Sequence, residues 1–405
     1  MKNLPHFINL RFLSSQTYVL GITLLLWSMF DGAMSYFVPI VFSEAGHSNT
    51  VIGLIIGTSS LVGACFDFII CKFFKNVSFI RIFLLIFILS AFFPLILCQF
   101  KTVPMFILAM ALWGIYYDFY GFGVFDFVGR YVKSKMHATT FGIVEIAISI
   151  GYFLGPLIAG LVVFDVVDFK GFGLAWLFLL ISILFFVALL ILSRKLKQVN
   201  KEVRVRKRSF IVEVGLWKNI GKLLAPVLVL TLYLYIIASS FWTLIPLFGE
   251  ELDNLGLGGL LLGATTLPAI LMGFFVGDVS KRFGKKRTAI YGLLVGSLLL
   301  SLFCLFTNVY ALLALLFIAS CFFGLAFPSM NGAYADYISE SPKYEQEIEA
   351  LEDFSFNLAY IFGPMIAGFV SDLTNISITF TLFGLVGIFV AIILIKVTPR
   401  HIQVA

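Results

Sequence analysis

The sequence predicts an all-α membrane protein of twelve transmembrane helices in two pseudo-symmetric six-helix bundles, with both termini in the cytoplasm. Three observations carry this. Of 405 residues, 60% are hydrophobic and 12% charged, with a mean hydropathy of +1.04. That leaves far too little polar surface to cover a soluble particle of this size. About twelve apolar runs reach the roughly 20 residues a helix needs to cross ~30 Å of hydrocarbon. Finally, the phrase YFLGPLIAG from Tyr152 to Gly160 returns 208 residues later as YIFGPMIAG from Tyr360 to Gly368. The spacing is about half the chain, as expected of one membrane unit written twice.

In order, the first-half spans lie near residues 17–43, 50–71, 79–98, 103–129, 139–164 and 172–193. Those of the second half lie near 223–248, 256–279, 288–306, 309–337, 353–371 and 376–396. Spans 5 and 11 hold the two copies of the phrase, and the echo extends upstream, where Glu145 answers to Asp353 and Ser149 to Asn357. A repeat that keeps polar positions as well as helix-bending ones points to a transporter. In it, Gly155 with Pro156 and Gly363 with Pro364 are hinge candidates, because glycine lets helices approach closely and proline removes a backbone hydrogen bond.

The longest loop carries the densest basic run, from Arg204 to Arg208. It divides the chain into bundles at 1–193 and 223–405 with a basic cytoplasmic linker at 194–222. Residues 210–223 could form a surface helix with Val212, Val214, Leu216 and Trp217 on its apolar side. No stretch suits a separate soluble domain. With the N-terminus cytoplasmic, 26 of the 28 basic residues fall in inner loops or ends, leaving only Lys101 and Lys170 outside. The net charge of +6 therefore follows from topology and implies no nucleic acid. No short apolar core with a cleavage pattern marks a signal peptide. Cys65, Cys71, Cys98, Cys304 and Cys321 sit in or beside spans without ligand spacing, and the four histidines lie in loops or tails. No metal or other cofactor is expected.

The six-plus-six arrangement, the basic central loop and the repeated Gly-Pro phrase together resemble the major facilitator superfamily over the whole chain. Between spans 8 and 9, the run from Gly277 to Arg287 resembles that superfamily's signature loop, with Lys281 where the acid is expected and Asp278 three residues earlier. The first-half loop keeps Gly63 and Asp67 with Lys72 and Lys75 but lacks the second glycine. The resemblance implies a cytoplasmic gate in which loop bases meet an acid at the end of span 4 or 10. Here its members would be Asp67, Asp126, Arg282, Gly284, Lys285 and Asp336. Ordinary interfacial acids would read the same way. The span 5 phrase resembles that of the drug and proton antiporters, although the arginine those exchangers carry in span 4 is replaced by Tyr117.

A charge at mid-membrane costs about 3 kcal/mol on insertion scales and must face protein or water. Asp31 lies at the centre of span 1, Asp118 at the centre of span 4, and Glu145 about two turns into span 5. The resemblance implies a central cavity lined by spans 1, 4, 7 and 10. Helical spacing places Trp27, Ser28 and Ser35 beside Asp31 and puts Trp113, Tyr117 and Tyr120 near Asp118. Span 7 adds Tyr235, Ser239 and Trp242, and span 10 adds Phe327 and Asn331. Carboxylates among aromatic rings suit amphipathic cations. An acid able to hold either a proton or a cation makes exchange possible by competition.

The expected function is alternating access with proton-coupled export of small amphipathic or cationic compounds. A proton-coupled importer of a metabolite and a lipid flippase stay open as alternatives. Nothing resembles a phosphate-cradling loop or an activated nucleophile, so no enzyme is expected. The expected partners are a small-molecule substrate, protons and the lipid bilayer. The expected state is a monomer, multi-pass in the cell's inner (plasma) membrane.

Overall fold

The computed structural model describes residues 15–73, 78–132, 136–162, 169–193, 210–252 and 255–398. Its helices are α1 (Ser15–Glu44), α2 (Asn49–Phe73), α3 (Phe79–Gln99), α4 (Val103–Tyr131), α5 (His137–Val162) and α6 (Phe169–Ser193) in the first half. In the second they are α7 (Phe210–Glu251), α8 (Leu255–Gly273), α9 (Val276–Phe283), α10 (Lys285–Leu300), α11 (Val309–Glu340), α12 (Glu345–Leu373) and α13 (Ile376–Val397). Twelve of them are long and apolar enough to cross a membrane.

Three boundaries differ from expectation, one of them the start of span 11, where α12 begins at Glu345, eight residues before the expected 353. Span 8 stops at Gly273, and residues 276–283 form α9, a separate helix with no buried residue. Its charges face outward, and Gly284, at φ +86°, makes the left-handed turn that starts α10. The third difference is α7, which begins at Phe210 and runs unbroken through residues 210–222, so part of the expected linker is helical. Residues 194–209 of that linker, and the side chains that would give 210–219 an apolar side, lie outside the described ones.

The halves repeat one packing scheme. In the first, α1 packs on α5 and α6, α3 on α4, and α2 on α4. In the second, α7 packs on α12, α10 on α11 and α13, and α8 on α11. The halves meet along α2 with α12 and α5 with α8. α1 is the most enclosed span, 89% buried, against at most 50% for any other.

The Gly-Pro phrases sit where each half touches both itself and the other. A Cβ at Gly155 would lie 2.6 Å from the Met29 carbonyl oxygen of α1, while one at Gly259 of α8 would lie 2.7 Å from that of Pro156. The second copy repeats this, with Gly363 against Ser239 of α7 and the Pro364 carbonyl against Gly53 of α2. Small residues permit this backbone-to-backbone approach.

These approaches fall toward the end of the bundle opposite the termini, called here the far end. Toward the terminal end, positions such as Gly121, Gly142 and Gly273 have no atom within 4 Å of where a Cβ would be. The halves are thus in near backbone contact at the far end.

A capping contact ties the far end across the halves. Asp372, at the end of α12, accepts the Asn49 N–H at 3.0 Å, the Thr50 N–H at 2.8 Å and the Thr50 hydroxyl at 2.6 Å. It caps the N-terminus of α2, a helix of the other half. Loss of a cap costs about 1 kcal/mol, roughly a five-fold shift in a two-state population. Asp372→Ala should therefore favour far-end opening about five-fold, read as a longer distance between spin labels at Ala45 and Leu373. An unchanged distribution would refute this role.

Candidate functional site

Between the halves lies a cavity of about 410 Å³, walled by α1, α2, α4, α5, α7, α8 and α12. Asp31, Asp118 and Glu145 all line it, and among the described residues its lining contains no Lys, Arg or His. Ser35, Tyr117 and Trp242 also reach it, beside Trp113, Tyr120, Tyr152, Phe356 and Tyr360.

Asp31 is 1% exposed and held from two sides. The Tyr116 hydroxyl of α4 donates to Oδ1 at 2.7 Å and the Tyr152 hydroxyl of α5 to Oδ2 at 2.8 Å. The α1–α5 contact explains Tyr152's reach, because a Cβ on Gly32 would lie 3.1 Å from the Pro156 ring and 3.4 Å from Tyr152. Ser28 and Ser35 turn inward along α1 and donate to the Leu24 and Asp31 carbonyls. The Tyr152 ring in turn meets Trp242 of the other half edge to face, centroids 5.9 Å apart. Asp31 is thus one hydroxyl away from an inter-bundle contact.

Asp118 lies against Gly63 of α2, at a crossing where a Cβ on Gly114 would meet the Ser59 carbonyl. That crossing brings the α2 residues Ser59 and Ser60 into the cavity wall. Glu145 is exposed and borders a second cavity between α4 and α5.

Four expected cavity residues, Trp27, Tyr235, Phe327 and Asn331, stand outside the lining. Trp27 is buried behind the wall, its Nε1–H donating to the Ser90 hydroxyl at 3.3 Å and its ring stacked on Tyr120 at 5.1 Å. Tyr235 is enclosed by Phe327, Phe356 and Tyr360 at 4.8–6.0 Å between centroids. Asn331 is exposed on α11 outside the lining. No residue of α11, which is span 10, lines the cavity; α12, α2 and α8 supply wall instead. The position 208 residues after Asp31 is Ser239, which bonds the Ile236 and Ala359 carbonyls at 3.1 and 3.3 Å.

Of the expected gate residues, Lys285 and Asp336 come together as a loop base and a span 10 acid, while the other described ones lie apart. Lys285 pairs with Asp336 and donates to the Gly332 carbonyl at 3.2 Å, joining α10 to α11 within one half. Lys286 stands over the Tyr337 ring at 4.4 Å, while Arg282 is exposed on α9. Asp126 pairs with Arg130 of its own helix and accepts the Phe79 N–H at 2.9 Å, capping α3. The Asp67 side chain lies outside the described ones.

Sequence reasoning overlooked Tyr116 and Tyr152 as the groups holding Asp31. One signal was present, since Trp113, Tyr116 and Tyr120 recur at three and four residues, the spacing of one helix face. The other was Tyr152 itself, the first residue of the repeated phrase.

Comparison with known proteins extends these observations. The sequence profile of the Major Facilitator Superfamily matches residues 20–258 and 227–404. The chain is 25% identical to Multidrug resistance protein 1 of Bacillus subtilis (strain 168) over 286 residues, 67% of this chain and 68% of that one. It is 24% identical to Multidrug resistance protein 2 of the same organism over 295 residues, 71% of each. A mutant of the nucleoside transporter NupG superposes with a TM-score of 0.74 at 14% identity, covering 95% of this chain and 100% of that one. An inward-facing, unoccupied bacterial homologue of the human lysosomal transporter Spinster does so at 0.67 and 12% identity, covering 94% and 95%. At such identities the structural likeness speaks to the fold alone. With the profile matched across both halves and twelve spans around a central cavity, this multi-pass membrane chain belongs to the Major Facilitator Superfamily.

Proposed function

We propose that the protein exports small amphipathic cations in exchange for protons by alternating access. The observation that carries this is the cavity: three carboxylates among aromatic rings, with no basic residue in the described lining. Rings and carboxylates attract a desolvated cation together. The names of the two bacterial relatives support export. Asp31, sealed by Tyr116 and Tyr152, is assigned to the proton, and Asp118 and Glu145 to the cation. The bundles at 1–193 and 223–405 rock about the Gly155–Pro156 and Gly363–Pro364 contacts. The Lys285–Asp336 and Asp126 clusters brace the gating end. The positive-inside count supports a cytoplasmic terminal end, and the protein works as a monomer in the plasma (inner) membrane.

Inverted vesicles with an imposed pH gradient test the reading. Adding a lipophilic cation should dissipate the gradient, and Asp31→Asn and Asp118→Asn should each abolish this at unchanged expression. Full activity in both variants would refute the site. Transport of neutral and anionic compounds alone would refute the cationic preference.

A further inference from the structure

Beside the central cavity, a second one of about 380 Å³ opens between α4 and α5. Both cavities have Tyr120 and Glu145 in their walls, so the two spaces adjoin at a carboxylate. Apart from those two residues, the described lining of the α4–α5 space consists of apolar side chains and glycines.

The space lies where two glycines face it from the two helices. Neither Gly121 of α4 nor Gly142 of α5 has any atom within 4 Å of where its side chain would begin, in contrast to the tight glycines of the far end. Phe125 and Phe141 face each other from the two helices, centroids 5.0 Å apart, and Phe125 is 66% exposed. The gap lies toward the terminal end of both spans, within the apolar length of each.

We propose that the α4–α5 cleft is a lateral portal by which amphipathic cations pass from the lipid leaflet on the terminal side to Glu145 and into the central cavity. This rests on the cation-exchange reading above and adds a route to it. An apolar passage ending on an acid selects molecules that partition into the leaflet and carry a positive charge. A neutral acyl chain gains nothing from the carboxylate, and an anionic headgroup is repelled by it. The Phe125–Phe141 pair supplies ring faces along the passage for the cation.

At Gly121 and Gly142 a Cβ meets no atom within 4 Å, so Gly121→Leu and Gly142→Leu should place their side chains in the cleft without forcing the backbones apart. In vesicles, each should slow gradient dissipation by tetraphenylphosphonium at least ten-fold. If the wild type responds to tetraphenylphosphonium and both variants stay within two-fold of it, the portal is refuted and the exchange reading stands. If the wild type itself gives no response, the exchange reading fails, and binding alone then decides the portal. For that, Gly142→Cys should react with a membrane-permeant maleimide beyond the background of the native cysteines, and tetraphenylphosphonium should slow the reaction at least three-fold. Labelling insensitive to the cation, as an acyl chain resident in the cleft would produce, overturns the portal.

Discussion

Tyr152→Phe should lower the proposed proton-coupled transport at least ten-fold while leaving expression intact. The substitution keeps the ring, and so the edge-to-face contact with Trp242, but removes the hydroxyl that donates to Asp31 Oδ2 at 2.8 Å. A buried acceptor stripped of its donor loses about 1–3 kcal/mol, and about 1.4 kcal/mol is already ten-fold. Because Asp31 is 1% exposed, bulk water does not replace the missing donor. Tyr116→Phe removes the matching donor to Oδ1 and should have a similar effect. The check is gradient dissipation by a lipophilic cation in inverted vesicles, scored beside Trp242→Leu, which breaks the inter-bundle contact and leaves both hydroxyls. Wild-type rates in both tyrosine variants would show that Asp31 does not couple proton to substrate.

The second large effect concerns glycines that look alike in the sequence and differ in the fold. Gly155→Ala should destabilise the protein by about 1–3 kcal/mol, because its Cβ meets the Met29 carbonyl at 2.6 Å and the Ala33 nitrogen at 2.9 Å. Both are backbone atoms of α1 and have no rotamer through which to yield. Gly121→Ala, in open space, should leave stability unchanged. Gly53→Ala should act differently again, since its obstacle is the Pro364 carbonyl of the other half. It should wedge α2 from α12 and shift the population toward the far-end-open state, with little loss of stability in the separated bundles. Thermal unfolding in detergent measures the first pair, and far-end spin-label distances measure the third. Equal melting of Gly155→Ala and Gly121→Ala would contradict the packing.

Much of this architecture was legible in the residues. Span length and apolar content follow from the thickness of hydrocarbon, so the twelve helices were found to within a few residues at most ends. The exceptions have local causes. The polar, amphipathic segment at 276–283 forms its own short helix once Gly284 turns the chain, and α7 continues back to Phe210 past the expected end of the linker. The three mid-membrane acids announced themselves by their cost, and all three line the cavity. Their surroundings were harder to read. Trp27 shares a helix with Asp31 at an interval of one turn, yet its indole points to Ser90 of α3, because a span at the centre of its bundle has partners all round.

The sequence by itself determined what any membrane chain must settle locally: the number of spans, the two-fold repeat, the side that carries the bases, and the lack of an acidic counterpart to Asp31 and Asp118 in the second half. These depend on transfer of each residue into hydrocarbon and on spacing along one helix. Only the tertiary structure decided which neighbours those acids have. Tyr116 and Tyr152 reach Asp31 from two other helices, and Tyr152 can do so only because Gly32, Gly151 and Gly155 bring α1 and α5 nearly into backbone contact. The same holds for the α4–α5 cleft, which Gly121 and Gly142 face from the two helices. Whether a glycine seals an interface or opens one depends on what stands opposite it, and that is a property of the folded assembly.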